Sequence, residues 1–223
     1  PERIIELDWW EKASLWGGEL VVTAAPAQHF SGRGFADRNA TLWSSFAIET
    51  HLHRAFFSGD TGLTREYGEI RARLGPFQLV MLEVGAYHPA WGTVHLGPEN
   101  ALEALHLLGG GKLLPVHWGT FNLGIHAWDE PAETLLALAP KLRAELLMPR
   151  LGQPIEPART GVGDPWWRVV ARPAGVPTGS AVARAGPASI AAPLTAAAIH
   201  PPTSHPGAGP EPFALPRPAG RLT

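Results

Sequence analysis

The chain has 223 residues, 45% of them hydrophobic, with ten histidines, no cysteine and a formal net charge of -2. That length and apolar content suit one domain, alone or with a tail, around a real core. The near-neutral charge gives no electrostatic ground for nucleic acid as the main partner, and without thiols any zinc must be bound by histidine and carboxylate.

Short runs rich in β-branched and aromatic residues, bounded by Gly, Pro or polar turns, predict strands over 3–7 (RIIEL), 20–25 (LVVTAA), 43–49 (WSSFAIE) and 54–58 (RAFFS). The last two form a hairpin through Thr50–His53. A helix is expected over 64–74, with Thr64 as its cap and Tyr67, Ile70 and Leu74 on one face. The apolar run QLVMLEV (78–84) predicts a covered strand. A second helix is expected over 98–108, with Pro98 in its first turn and Gly109, Gly110 and Gly111 stopping it. KLLPVHW (112–118) is the next strand, and Asp129 begins a third helix that Pro140 should kink or break. Alternating strands and helices predict a layered α/β domain.

From about Arg172 the composition turns to Pro, Ala and Gly with no sustained apolar period, so 172–223 is expected to be a disordered tail. No apolar run is long enough for a membrane-spanning helix, and the opening PERIIELDWW has no signal-peptide pattern. The expected location is therefore the cytoplasm.

Three residues draw attention by their shared placement. His29 in TAAPAQHF, Asp60 in FFSGDTGL and His117 in LLPVHWGTF each follow a predicted strand. Singly, each has a bland explanation: a histidine after a strand is often structural, and Asp between glycines is good turn chemistry. Together they stand where α/β folds gather sites from several loops, and imidazole with carboxylate is a donor set that zinc accepts.

The stretches IIELDWWE, AAPAQHF, FFSGDTG, GPFQLVMLEVGAYHPAW, VHLGPENALEA and HWGTFNLGIHAWDEP, with the closing LGQPIEP and DPWW, resemble the metallo-β-lactamase superfamily. The resemblance is to the branch holding N-acylphosphatidylethanolamine-hydrolysing phospholipase D and lactonase-like bacterial hydrolases, and it runs in order from about 3 to 171. It implies an αββα sandwich with a two-metal site along one edge. It also implies His29 as a ligand of the first metal, Asp60 as the bridging carboxylate and His117 as a ligand of the second. His95 in TVHLGP would contact substrate or developing charge, with Tyr87 lining the same pocket. Trp91 and His126 are further candidates for the substrate pocket.

One departure matters. The family signature His-x-His-x-Asp-His occurs nowhere in the sequence; His51-Leu52-His53 is followed by Arg54 and Ala55 and falls in a predicted hairpin turn. What remains is His29 and Asp60 for one metal and Asp60 and His117 for the other, fewer than the three protein ligands of a catalytic zinc. The expectation is thus residues 1–171 as a metallo-β-lactamase-like domain lacking its N-terminal part. The two zinc ions of the complete site would not be retained by this chain alone. The implied activity is hydrolysis of a phosphodiester of the N-acyl-phosphatidylethanolamine kind, or of an ester or lactone, through a metal-bridging hydroxide. The competing reading is a non-catalytic remnant unable to bind metals. A small-molecule or lipid substrate is expected, with peripheral membrane contact open and the oligomeric state unreadable.

Overall fold

The structure is a computed structural model that describes residues 4–170 apart from Phe35 and Asn122; the expected tail over 172–223 lies outside the described residues. Strands β1 (Lys12–Leu15), β2 (Leu20–Pro26), β3 (Ser44–Thr50), β4 (Arg54–Phe57), β5 (Leu79–Glu83), β6 (Lys112–Val116) and β7 (Glu145–Leu146) lie side by side in chain order in one seven-stranded sheet. The first four are antiparallel, β1 to β2 and β3 to β4 through short turns and β2 to β3 through the longer segment 27–43. From β4 onward pairing is parallel, which demands crossovers. These run through helices α1 (Glu66–Leu74), α2 (Gly97–Leu107) and α3 (Glu130–Leu142), and a short α4 (Trp167–Val170) closes the described chain.

The register shows why the sheet has two unlike faces. Ala47, Phe56, Val80 and Leu113 pair across β3 to β6, and all are buried. They join Tyr67 and Ile70 of α1, Leu102 and Leu105 of α2 and Leu135 of α3 in one core. The adjacent row is Phe46, Phe57, Met81 and Leu114, paired in the same way but only partly buried. A period of two puts these rows on opposite faces, so the helices cover one face with a row of large apolar side chains on the other. Among the described residues there is no second sheet.

Most predicted elements are present within a residue or two. The hydroxyl of Thr64 accepts from Glu66 N at 3.3 Å, and Gly109, Gly110 and Gly111 all take positive φ after α2. Two expectations need correction. Residues 4–8 form no strand, and Ile4 and Ile5 are exposed. The edge strand is instead KASL, folded back on β2 by Trp16–Gly18, where Gly17 and Gly18 supply φ of 68° and 99°. That turn chemistry, more than β-propensity, selects the strand. Helix α3 also continues through Pro140 to Leu142. A proline in the last turn removes one hydrogen bond without unwinding the turns before it.

Candidate metal centre

The C-terminal ends of β2, β4, β5 and β6 point the same way, and the loops leaving them are tied together by buried polar groups. Gln28 N donates to Thr61 Oγ1 at 2.9 Å, and Gly62 N donates to Gln28 O at 2.8 Å. These bonds fasten the loop holding His29 to the loop holding Asp60. Glycine is required at 62, since a Cβ there would stand 1.6 Å from Thr93 O. Gly85 is equally constrained: its Cβ would meet His117 O at 2.4 Å. That approach brings the ends of β5 and β6 together.

His117 itself takes φ of 63°, a left-handed conformation costly for a side chain with a Cβ and typical of residues held in place for function. Its Nε2 lies 3.6 Å from Asp60 Oδ1, while its Nδ1 faces Gly85 O at 3.3 Å and Glu83 Oε2 at 3.4 Å. His29 places Nδ1 2.9 Å from Phe30 O. A carbonyl only accepts, so in both residues Nδ1 carries the proton and Nε2 keeps the lone pair a metal needs.

His95 joins them from the loop before α2. Its ring centroid is 5.2 Å from that of His29 and 5.5 Å from that of His117. Trp91, 39% exposed, stands 6.0 Å from it at the rim. The hydrogen bond to Glu83 holds the His95 pKa above its ordinary 6.5, opposed by burial and aided by the charges of Glu83 and Asp60. Tyr87 and His126 form a neighbouring pair, stacked at 4.6 Å, with Tyr87 N donating to His126 Nε2 at 3.4 Å. The Tyr87 hydroxyl donates to Glu130 at 3.0 Å, and burial together with that carboxylate raises its pKa. Its ring packs on Gly97, two residues from His95, where a Cβ would sit only 3.0 Å away. His51 and His53 are exposed in the turn between β3 and β4.

Glu83 was absent from the expected site. It is fully buried at the end of β5, and its Oε1 accepts from Thr61 N and Leu96 N, both at 3.0 Å. His95 Nδ1 lies 2.8 Å from Oε2. Among the described residues, Glu83, His95 and His117 form a group of three whose ligand atoms all lie within 4.8 Å of one another. The signal was available in sequence: one carboxylate inside the apolar run QLVMLEV must be paired, because burying it alone is prohibitively costly.

Imidazole nitrogens with free lone pairs beside an exposed carboxylate suit a divalent metal of the zinc type. The fold and this donor set define a layered α/β domain with a candidate metal centre. A family model described as "Beta-lactamase superfamily domain" matches residues 1–118, and the chain belongs to that superfamily. It is 47% identical over 172 residues to an uncharacterised protein of Mycobacterium tuberculosis, covering 75% of this chain and 45% of that one. It is 36% identical over 141 residues to N-acyl-phosphatidylethanolamine-hydrolyzing phospholipase D 1 of Caenorhabditis elegans, covering 60% and 40%. Outer membrane protein RomA of Klebsiella pneumoniae is 38% identical over 122 residues, covering 52% of this chain and 92% of that one. The chain thus spans less than half the length of the first two. Among solved structures, the metallo hydrolase Igni18 of Ignicoccus hospitalis superposes with a TM-score of 0.52 at 22% identity, over 68% of this chain and 59% of that one. An isothiocyanate hydrolase from Delia radicum gut bacteria gives 0.52 at 20%, over 69% and 58%. These two likenesses concern the fold. No helix among the described residues is long and apolar enough to cross a membrane.

Proposed function

We propose that residues 1–171 carry part of a zinc hydrolase site that cleaves a phosphodiester of the N-acyl-phosphatidylethanolamine kind, with esters or lactones as the related alternatives. The observation that carries this reading is the approach of His117 Nε2 to Asp60 Oδ1, beside His29 and His95. The relative from Caenorhabditis elegans, named for that phospholipid activity, supports the substrate class. His29, Asp60 and His117 would hold the metal. Bound there, a divalent ion supplies Lewis acidity toward a phosphoryl or carbonyl oxygen and acidifies a water.

The chain's own groups divide the remaining work. Asp60, whose side chain is half exposed, orients the attacking water. His95 keeps its Nδ1 proton against Glu83, which leaves Nε2 to take a proton from the attacking water and pass it to the leaving oxygen. Trp91 covers the rim beside it, where an acyl or alkyl chain would lie. Tyr87 and His126 shape the pocket wall near the start of α2.

Three ligands are too few for two catalytic zinc ions, so the remaining ligands come from residues outside these 223 and the chain is inactive by itself. The test mixes the purified chain with the part of the Mycobacterium tuberculosis relative that lies outside the match, adds zinc, and follows N-acyl-phosphatidylethanolamine hydrolysis. The mixture should hydrolyse the lipid, and Asp60→Asn should abolish this. Full activity of the chain alone would refute the missing ligands. Inactivity of every mixture, despite formation of a complex, would favour the non-catalytic reading.

A further inference from the structure

We infer that Glu83 is a positioning residue: its buried carboxylate fixes the proton of His95 on Nδ1 and thereby turns the Nε2 lone pair toward the pocket. The use of that lone pair rests on the site proposed above; the hydrogen-bond assignment does not.

Glu83 shows no solvent exposure at the end of a parallel strand. A carboxylate in that position is destabilising unless every lone pair finds a donor. Two donors are backbone groups: Thr61 N, next to Asp60, and Leu96 N, next to His95, both reaching Oε1 at 3.0 Å. The other oxygen, Oε2, faces His95 Nδ1 at 2.8 Å and His117 Nδ1 at 3.4 Å, while Oε1 lies farther from His95 Nδ1, at 3.1 Å. One side chain thus ties the Asp60 loop, the His95 loop and the His117 loop to the end of β5. A hydrophobic residue of similar volume would fill the space but leave two buried backbone N–H groups unpaired. Its effect on imidazole orientation is the kind that carboxylates exert on metal-binding histidines, where loss of the partner weakens metal affinity roughly 10–100-fold.

The two oxygens are not equivalent, and this makes the inference testable. In Glu83→Gln the amide oxygen must stay on the Oε1 side, because Thr61 N and Leu96 N can only donate. The NH2 group then takes the place of Oε2, the nearer partner of His95 Nδ1, and donates to it, so that Nδ1 becomes an acceptor and gives up its longer 3.1 Å contact with the oxygen on the Oε1 side. The His95 proton moves to Nε2, and the pocket loses a lone pair while the backbone bonds and the packing volume are kept.

Histidine tautomers can be read in the full 223-residue chain by two-bond 1H–15N correlation after histidine-selective 15N labelling, in alkaline solution where the rings are neutral. His95 is assigned by the resonance lost in His95→Gln. The wild type should show His95 protonated on Nδ1 and bare on Nε2, and Glu83→Gln should reverse the two. His29, whose Nδ1 faces Phe30 O, should remain an Nδ1–H tautomer in both and serves as an internal check on folding. An Nε2–H tautomer for His95 in the wild type overturns the assignment without recourse to any variant. An unchanged Nδ1–H tautomer both in folded Glu83→Gln and in folded Glu83→Leu, whose side chain offers no acceptor, overturns it as well. Zinc that leaves all histidine resonances of the wild type unmoved, with His95 still protonated on Nδ1, removes the metal reading and leaves the role of Glu83 standing.

Discussion

Nε2 of His117 and Oδ1 of Asp60 stand 3.6 Å apart, although they leave different strands and are both partly exposed. Two donors on one tetrahedral zinc, each about 2.0–2.1 Å from it, are separated by about 3.4 Å. The pair is therefore near ligand spacing. It is the backbone that holds it: the left-handed φ of His117, the closeness of Gly85 to His117 O, and the Gln28 bonds to Thr61 and Gly62.

Asp60→Asn should separate binding from stability. The carboxylate is half exposed and its loop is pinned by Thr61 and Gly62, so the melting temperature should move little. Zinc affinity, measured by competition with a chromophoric chelator, should fall at least tenfold. A large loss of stability with unchanged zinc affinity would make Asp60 a structural turn residue.

Two glycines give opposite expectations. At Gly62 a Cβ would stand 1.6 Å from Thr93 O, a backbone atom that cannot swing away. Gly62→Ala should cost about 3 kcal/mol, the upper end of overpacking penalties. At Gly68, on the exposed side of α1, nothing lies within 4 Å. Gly68→Ala should stabilise by about 0.5–1 kcal/mol. Chemical denaturation of the two variants compares them directly; equal effects would contradict the close packing of the Asp60 loop on Thr93.

Acid should release the end of the domain. The Arg168 guanidinium donates two hydrogen bonds of 2.6 Å to Glu133, and Trp167 Nε1 adds a third at 2.8 Å. Chiefly through Arg168, the Glu133 pKa drops from an ordinary 4.5 to about 2. A depressed carboxylate contributes stability that is present above its unfolded pKa and is lost as pH falls through the folded one. Trp167 fluorescence should therefore change between about pH 4.5 and pH 2, and Glu133→Gln should remove that step. A transition of the same midpoint in the variant would assign it to other carboxylates.

The row Phe46, Phe57, Met81 and Leu114 lies on the sheet face opposite the buried row and is incompletely buried. An apolar row left partly uncovered favours association. The chain should self-associate as its concentration rises in sedimentation experiments, and Met81→Gln combined with Leu114→Gln should shift it toward monomer. A wild type that stays monomeric and melts in one sharp reversible step would show that the row is adequately covered.

Legibility in the sequence followed the range of the forces involved. Helix α2 and the Gly109–Gly111 stop were readable because Pro98, the apolar stripe and the glycines act locally. Strand β1 was missed because KASL has little intrinsic preference; its pairing with β2 and the positive φ of Gly17 and Gly18 create it. His29, Asp60 and His117 were singled out by position after strands and by motif resemblance, and His95 by resemblance alone. Glu83 was not, since its importance lies in bonds to Thr61, Leu96 and His95 on other loops. Trp91 stands beside His95, whereas the contacts of Tyr87 and His126 are chiefly with each other and Glu130.

The most direct test of the shared metal pocket is a zinc titration of the 223-residue chain followed through the Nε2 resonances of His29 and His117. Both should shift together and saturate below two equivalents of zinc, and Asp60→Asn should weaken the common response. Zinc that moves neither resonance, moves only one, or fills two tight sites would contradict a shared but incomplete metal shell.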